Sequence, residues 1–208
     1  MYAIITDGSI SKYVNHPKPV TIGDVQYPAK IFSVWSKSEL NAIGIYEVTF
    51  DDSNKKDEKW YINTNQTYTY DASAGTVTAS YGTATAKAHA DTLFTAQDET
   101  DGLGTEGEVK VKGLKTILIK SIKAQAENLL NQTDWYITRK AEKNTAIPSA
   151  ITTWRDGIRT KQAAMETSIT NASNTPALET LYTYVNTADE GDPVVMARPL
   201  GEFPELGS

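Results

Sequence analysis

The chain has 208 residues, 39% of them hydrophobic and 22% charged, with a formal net charge of −6 at pH 7. That length allows one large or two small domains, the composition excludes wholesale disorder, and the acidic balance argues against a general nucleic-acid binder. Cysteine is absent, which excludes disulfides and thiolate metal sites.

The opening stretch, MYAIITDGSI, lacks the basic region and long apolar core of a signal peptide, and no run approaches the length of a membrane span. Thr and Tyr are frequent in the first hundred residues, a composition that fits pleated, half-buried strands. Apolar runs flank Asp7-Gly8, a strong hairpin signal, and a weaker one surrounds Gly23-Asp24. Pro17, Pro19 and Pro28 confine these strands to edges or short pieces. Ser36 and Glu39 have the spacing of a capping box, so a short helix is expected near 39–42, ended by Gly44. Residues 45–50 alternate as a strand, and the charged run DDSNKKDEK over 51–59 reads as a solvated loop. Strands at 60–62, 66–70 and 76–81 form an expected meander, with turns at 63–65 and 71–75.

Residues 83–94 are expected to extend a strand and then turn helical from about Ala86. The acidic, glycine-containing stretch that follows reads as a linker. From Val109 the period changes. Leu114, Leu118, Ile122, Ala126 and Leu129 make one apolar stripe of an amphipathic helix, and Ile151, Trp154, Ile158, Met165 and Ile169 make another. Thr133 and Asp134 are candidate N-caps of a helix that reaches a polar loop near Lys143, and Pro148 suits the start of the next. These two helices read as a hairpin, with Trp135 and Trp154 packed together near its loop end. Thr175 is expected to cap a last short helix beginning at Pro176. The fold class is α+β: a β-rich N-terminal domain of hairpins and a meander (1–97), a linker (98–107), a helical hairpin domain (108–190) and an extended proline-containing tail (191–208).

No nucleophile, acid–base or metal pattern emerges. The two histidines, His16 and His89, stand alone, and there is no HExxH, Walker or GxGxxG motif. No catalytic residue, cofactor or metal is therefore assigned. The residues singled out are Trp135, Arg139, Trp154, Arg155 and Arg159. Trp135 and Arg139 lie one helical turn apart, so the guanidinium can cover the indole. Trp and Arg serve either as core anchors with apolar stems or as interface residues. An alternative set, Trp60, Tyr68, Tyr70 and Tyr81, is the aromatic row of the expected meander. It reads as sheet packing or as a glycan-facing surface.

The run LLNQTDWYITRKAEKNTAIPSAITTWRDGIR resembles a module of the tailed-bacteriophage tail assembly chaperone and tail-fibre accessory proteins. The residues that carry the resemblance are Leu129, Leu130, Thr133, Asp134, Trp135, Trp154, Arg155 and Arg159. The opening Met-Tyr-Ala-Ile-Ile, the Asp-Gly turn, and Ser38, Glu39, Gly44, Ile45 and Tyr46 are similar to small phage tail proteins, as is the ending from Arg198 to Pro204. The resemblance covers roughly residues 1–50 and 125–205. It implies a non-enzymatic tail or tail-fibre protein, in the virion tail or in the host cytoplasm during assembly. Its implied partners are other tail proteins and possible further copies of itself, with no nucleic acid and no membrane insertion. The alternative function is a host-surface carbohydrate-binding, adhesive module of the tail.

Overall fold

The computed structural model describes residues 1–64 and 66–207, so the expected turn at 63–65 falls partly outside the described residues at Asn65. The chain divides into two compact units, Met1–Thr85 and Ala86–Ser208, and carries both strands and helices in an α+β arrangement.

In the first unit, β1 (Tyr2–Thr6) and β2 (Ser9–Val14) form the Asp7-Gly8 hairpin, with positive φ at both turn residues as a type I′ turn requires. β3 (Val20–Ile22) and β4 (Val25–Tyr27) pair as a second hairpin around Gly23. Two short helices follow, α1 (Ile31–Val34) and α2 (Lys37–Ala42). The Ser36–Glu39 capping box at α2 is complete, with backbone and side chain bonded in both directions.

β5 (Ile45–Asp51) pairs antiparallel with β1 and parallel with β8 (Thr76–Tyr81), which pairs antiparallel with β7 (Gln66–Asp71). The sheet order is β2-β1-β5-β8-β7. β6 (Tyr61–Ile62) lies outside this sheet, so the three-stranded meander is in fact a β7–β8 hairpin joined to β5.

One face of the sheet packs against α1, α2 and β3 through Ile4, Val14, Val20, Ile31, Phe32, Leu40 and Ile45. The other buries Ala3, Val48, Val77 and Ala79 beneath Tyr46, Tyr68 and Tyr70. The sheet is curled, and the small residues are what the inside of that curl accommodates.

The second unit opens with β9 (Thr85–Ala86), which straddles the division, and β10 (Thr92–Leu93). The helix expected from Ala86 does not form. Residues 88–91 instead meet the start of the long helix: Ala88 and His89 carbonyls accept from Leu114 and Lys115 N–H, and the Asp91 carboxylate accepts from Gly113 N–H and Thr116 Oγ1. Four amides at a helix start lack intrahelical partners, and this segment supplies acceptors for those of Gly113, Leu114 and Lys115.

The linker expected over 98–107 is also folded. α3 (Ala96–Thr100) begins with a complete Thr95–Asp98 capping box, and β11 (Val109–Val111) pairs back onto β10. α4 (Leu114–Asn131), α5 (Asp134–Lys143), α6 (Ser149–Asn171) and α7 (Thr175–Tyr182) follow. α7 is capped by Asn174, whose side chain accepts from Ala177 N–H, not by Thr175. The buried Thr175 hydroxyl donates to the Lys87 carbonyl instead.

The tail is extended but not free. β12 (Val185–Asn186) pairs with β13 (Met196–Ala197), and Leu200 is buried, its N–H donating to the Leu181 carbonyl. Among the described residues no helix is long and apolar enough to cross a membrane.

Candidate functional site

The hairpin that packs is α4 against α6, with α5 a separate short helix between them. Lys115 Nζ donates to the Thr170 carbonyl at 2.8 Å, Lys123 pairs with Glu166 at 3.3 Å, and Arg155 meets Leu130 at 2.8 Å. Contacts that move backward along α6 as they move forward along α4 define an antiparallel pair. The interface buries Leu118, Ile122 and Ala126 from one helix and Trp154, Ile158, Met165 and Ile169 from the other.

Trp154 is 7% exposed, set among Ala126, Ile158, Leu129, Leu130 and Phe203. Its indole Nε1 donates to the Pro204 carbonyl at 2.9 Å, so the C-terminal segment ties back onto α6. The approach is close: a Cβ at Gly157 would stand 3.3 Å from Pro204 Cγ. Beside this contact, the first turns of α6 and residues 204–207 enclose an open groove of about 720 Å³.

Next to Trp154, Arg155 is also buried, at 7% exposure. Its Nη1 donates to the Leu130 carbonyl at 2.8 Å and to Thr133 Oγ1 at 2.7 Å, and it pairs with Asp134 Oδ1 at 2.9 Å. One guanidinium thus gathers the last turn of α4 and the first residue of α5. Thr133 sits at the N-cap position of α5, but its hydroxyl makes no capping bond; it donates to Leu130 O and accepts from Arg155. The break between α4 and α5 is therefore held by Arg155, not by the N-cap that the Thr-Asp pair leads one to expect.

α5 buries none of its residues. Trp135 is 52% exposed and stacks on Tyr136 with centroids 3.7 Å apart and planes at 30°. The Arg139 guanidinium lies 4.8 Å from the Trp135 centroid and 5.3 Å from that of Tyr136. The expected packing of Trp135 on Trp154 is not observed: Trp135 turns outward because α6 packs on α4, leaving α5 no core to face. Arg159 is exposed and pairs with Asp156 at 3.1 Å. Trp135, Tyr136 and Arg139 thus form one cluster, exposed at Trp135 and partly buried at Tyr136 and Arg139, with Arg155 holding Asp134 at the start of the same helix. Tyr136 went unnoticed in the sequence, although it directly follows Trp135 and lies three residues from Arg139.

The second aromatic set is divided. Trp60 is 3% exposed and belongs to the core, which removes it from any outward row. Tyr81 lies under Lys55 Nζ, 5.6 Å from the ring centroid. Tyr68 and Tyr70 share the inner face of the curl, where they meet two residues that the row did not include. Tyr68 is 4.6 Å from Tyr13, and Tyr70 is 5.0 Å from Tyr46 with its hydroxyl donating to Tyr46 Oη at 3.1 Å. That donation holds the Tyr70 phenol above its usual range. Only the pairing across strands joins Tyr13 and Tyr46 to this face.

Among the described residues no three His, Cys, Asp or Glu side chains group as a metal site. No protein-family model, curated protein or solved structure matches the chain.

Proposed function

We propose that the chain is a non-enzymatic protein of a bacteriophage tail or tail fibre, a minor virion component or an assembly factor, working through protein–protein contacts made by α5. The reading is supported by the Trp135–Tyr136–Arg139 cluster, half exposed at Trp135, on a helix that has no fully buried residue yet is held at its base by Arg155. An aromatic pair capped by a guanidinium offers a partner large contact area at low entropic cost, the property of interface anchors. The resemblance of the 129–159 module to tail assembly chaperones and tail-fibre accessory proteins points the same way.

Quantitative mass spectrometry of purified virions tests it. Stoichiometric copies identify a structural component. Presence in assembly intermediates but not in mature particles identifies an assembly factor. Copurification with neither removes the reading.

A second reading, an adhesive module that binds host-surface carbohydrate, is favoured by one observation: the tyrosine pairs on the inner face of the curled sheet.

A further inference from the structure

We infer that the cleft at the Tyr13–Tyr68 seam is a binding site for an uncharged saccharide, an inference that rests on the carbohydrate-binding reading. Three observations carry it. The first is shape. The cleft is a shallow hollow of about 410 Å³, wide open to solvent, and its walls come from the β1–β2 turn (Gly8, Ser9, Ile10), from Tyr13 on β2, and from Tyr68, Thr69 and Tyr70 on β7. The mouths of curled and closed sheets are a preferred place for such sites.

The second is the chemistry of the walls. Three rings line the cleft and no carboxylate, ammonium, guanidinium or imidazole does, since Thr69 is the remaining neighbour. The faces of aromatic rings are electron-rich and attract the weakly positive C–H groups of a pyranose face. An anionic sugar, a phosphate or a nucleic acid would instead need a cation that this cleft does not present. The third is the polar equipment. Tyr68 donates its hydroxyl to Gln66 Oε1 at 2.8 Å, which leaves the phenol oxygen as an acceptor and orients the ring. The Ser9 and Thr69 hydroxyls are both on exposed residues at the rim. A second ring pair, Tyr46–Tyr70, begins two residues further along β7, about 7 Å away, a spacing that offers a neighbouring sugar its own surface.

The test uses the full chain on an array holding neutral and acidic glycans, with neutral hits titrated by calorimetry. Binding to neutral oligosaccharides is expected, with affinity reduced at least tenfold in Tyr13→Ala and in Tyr68→Ala. Ser9→Trp, a change at an exposed strand position that fills the rim, is expected to block binding with the melting temperature unchanged, which keeps the test valid if a tyrosine variant unfolds. Neutral-glycan binding that survives Ser9→Trp and both tyrosine variants overturns this site while leaving the adhesive reading standing. Binding confined to acidic glycans overturns the assignment of an uncharged ligand. Absence of binding to any glycan removes the site and the adhesive reading together.

Discussion

The rings of Tyr13 and Tyr68 lie 4.6 Å apart, although β2 and β7, the strands that carry them, are the two opposite edges of the five-stranded sheet. A flat sheet would hold those edges four inter-strand spacings apart, about 19 Å. Their contact therefore measures how far the sheet is rolled, and it closes the face that holds Ala3, Val48, Val77 and Ala79.

The first prediction follows from that closure. Ala79 is fully buried inside the curl, so Ala79→Leu overpacks it and should cost about 1–3 kcal/mol. On an open, solvent-facing sheet the same change would be neutral or mildly favourable. Thermal or urea denaturation of the full chain distinguishes the two, and an unchanged midpoint would show that the face is open.

The two tryptophans of the helical unit should behave oppositely. Trp154→Ala empties the α4–α6 interface and removes the donor to Pro204, and is expected to cost about 3–5 kcal/mol. Trp135→Ala removes a half-exposed ring and should shift stability by less than about 1 kcal/mol. Melting followed by helical circular dichroism checks both. Under the proposed function Trp135→Ala should nonetheless reduce incorporation into, or assembly of, the tail, a loss read by virion mass spectrometry.

Arg155 should be intolerant of change. Arg155→Ala takes the donor from the buried Thr133 hydroxyl and frees Asp134, while the Leu130 carbonyl keeps the Thr133 N–H and hydroxyl, at a cost of about 1–3 kcal/mol. Arg155→Lys keeps the charge but not the planar guanidinium that places Nη1 against all three acceptors, so it should recover only part of the loss. Full recovery by lysine would mean that charge alone holds the α4–α5 junction.

Asp98 ties α3 to the β10–β11 ribbon, and its carboxyl is held down at about 2, first by the Lys110 ammonium at 2.6 Å and then by the Thr95 backbone N–H and hydroxyl. A folded-state value below the ordinary 3.8 means that the carboxylate stabilises the fold above that pH, and that this contribution is lost as pH falls through about 2. Carboxyl NMR should give a titration midpoint near 2. Asp98→Asn should raise amide exchange at Phe94 and Leu103, whose N–H groups donate within this segment. A midpoint near 4 would show that the Lys110 contact does not persist in solution.

Much of the local structure was legible residue by residue, because its causes are local. Asp7-Gly8 makes its turn through backbone conformations that suit those residues, Ser36 and Glu39 close a capping box across three residues, and the stripes of α4 and α6 follow from helical geometry alone. Long-range pairing was not legible. Residues 86–113 carry linker and helix signals, yet they fold because Asp91, Ala88 and His89 find the unsatisfied start of α4, and because Gly113 lets Ala90 approach so closely that any Cβ would collide with its carbonyl. Trp135 and Trp154 look alike in the sequence, each a tryptophan near arginines on an amphipathic helix. Their fates diverge because α6 packs on α4 and leaves α5 outside, and that choice rests on contacts between residues 25 to 55 positions apart. The tyrosine seam has the same origin: parity along each strand says which face a side chain takes, but the curl that brings the two edge strands together is a property of all five strands at once.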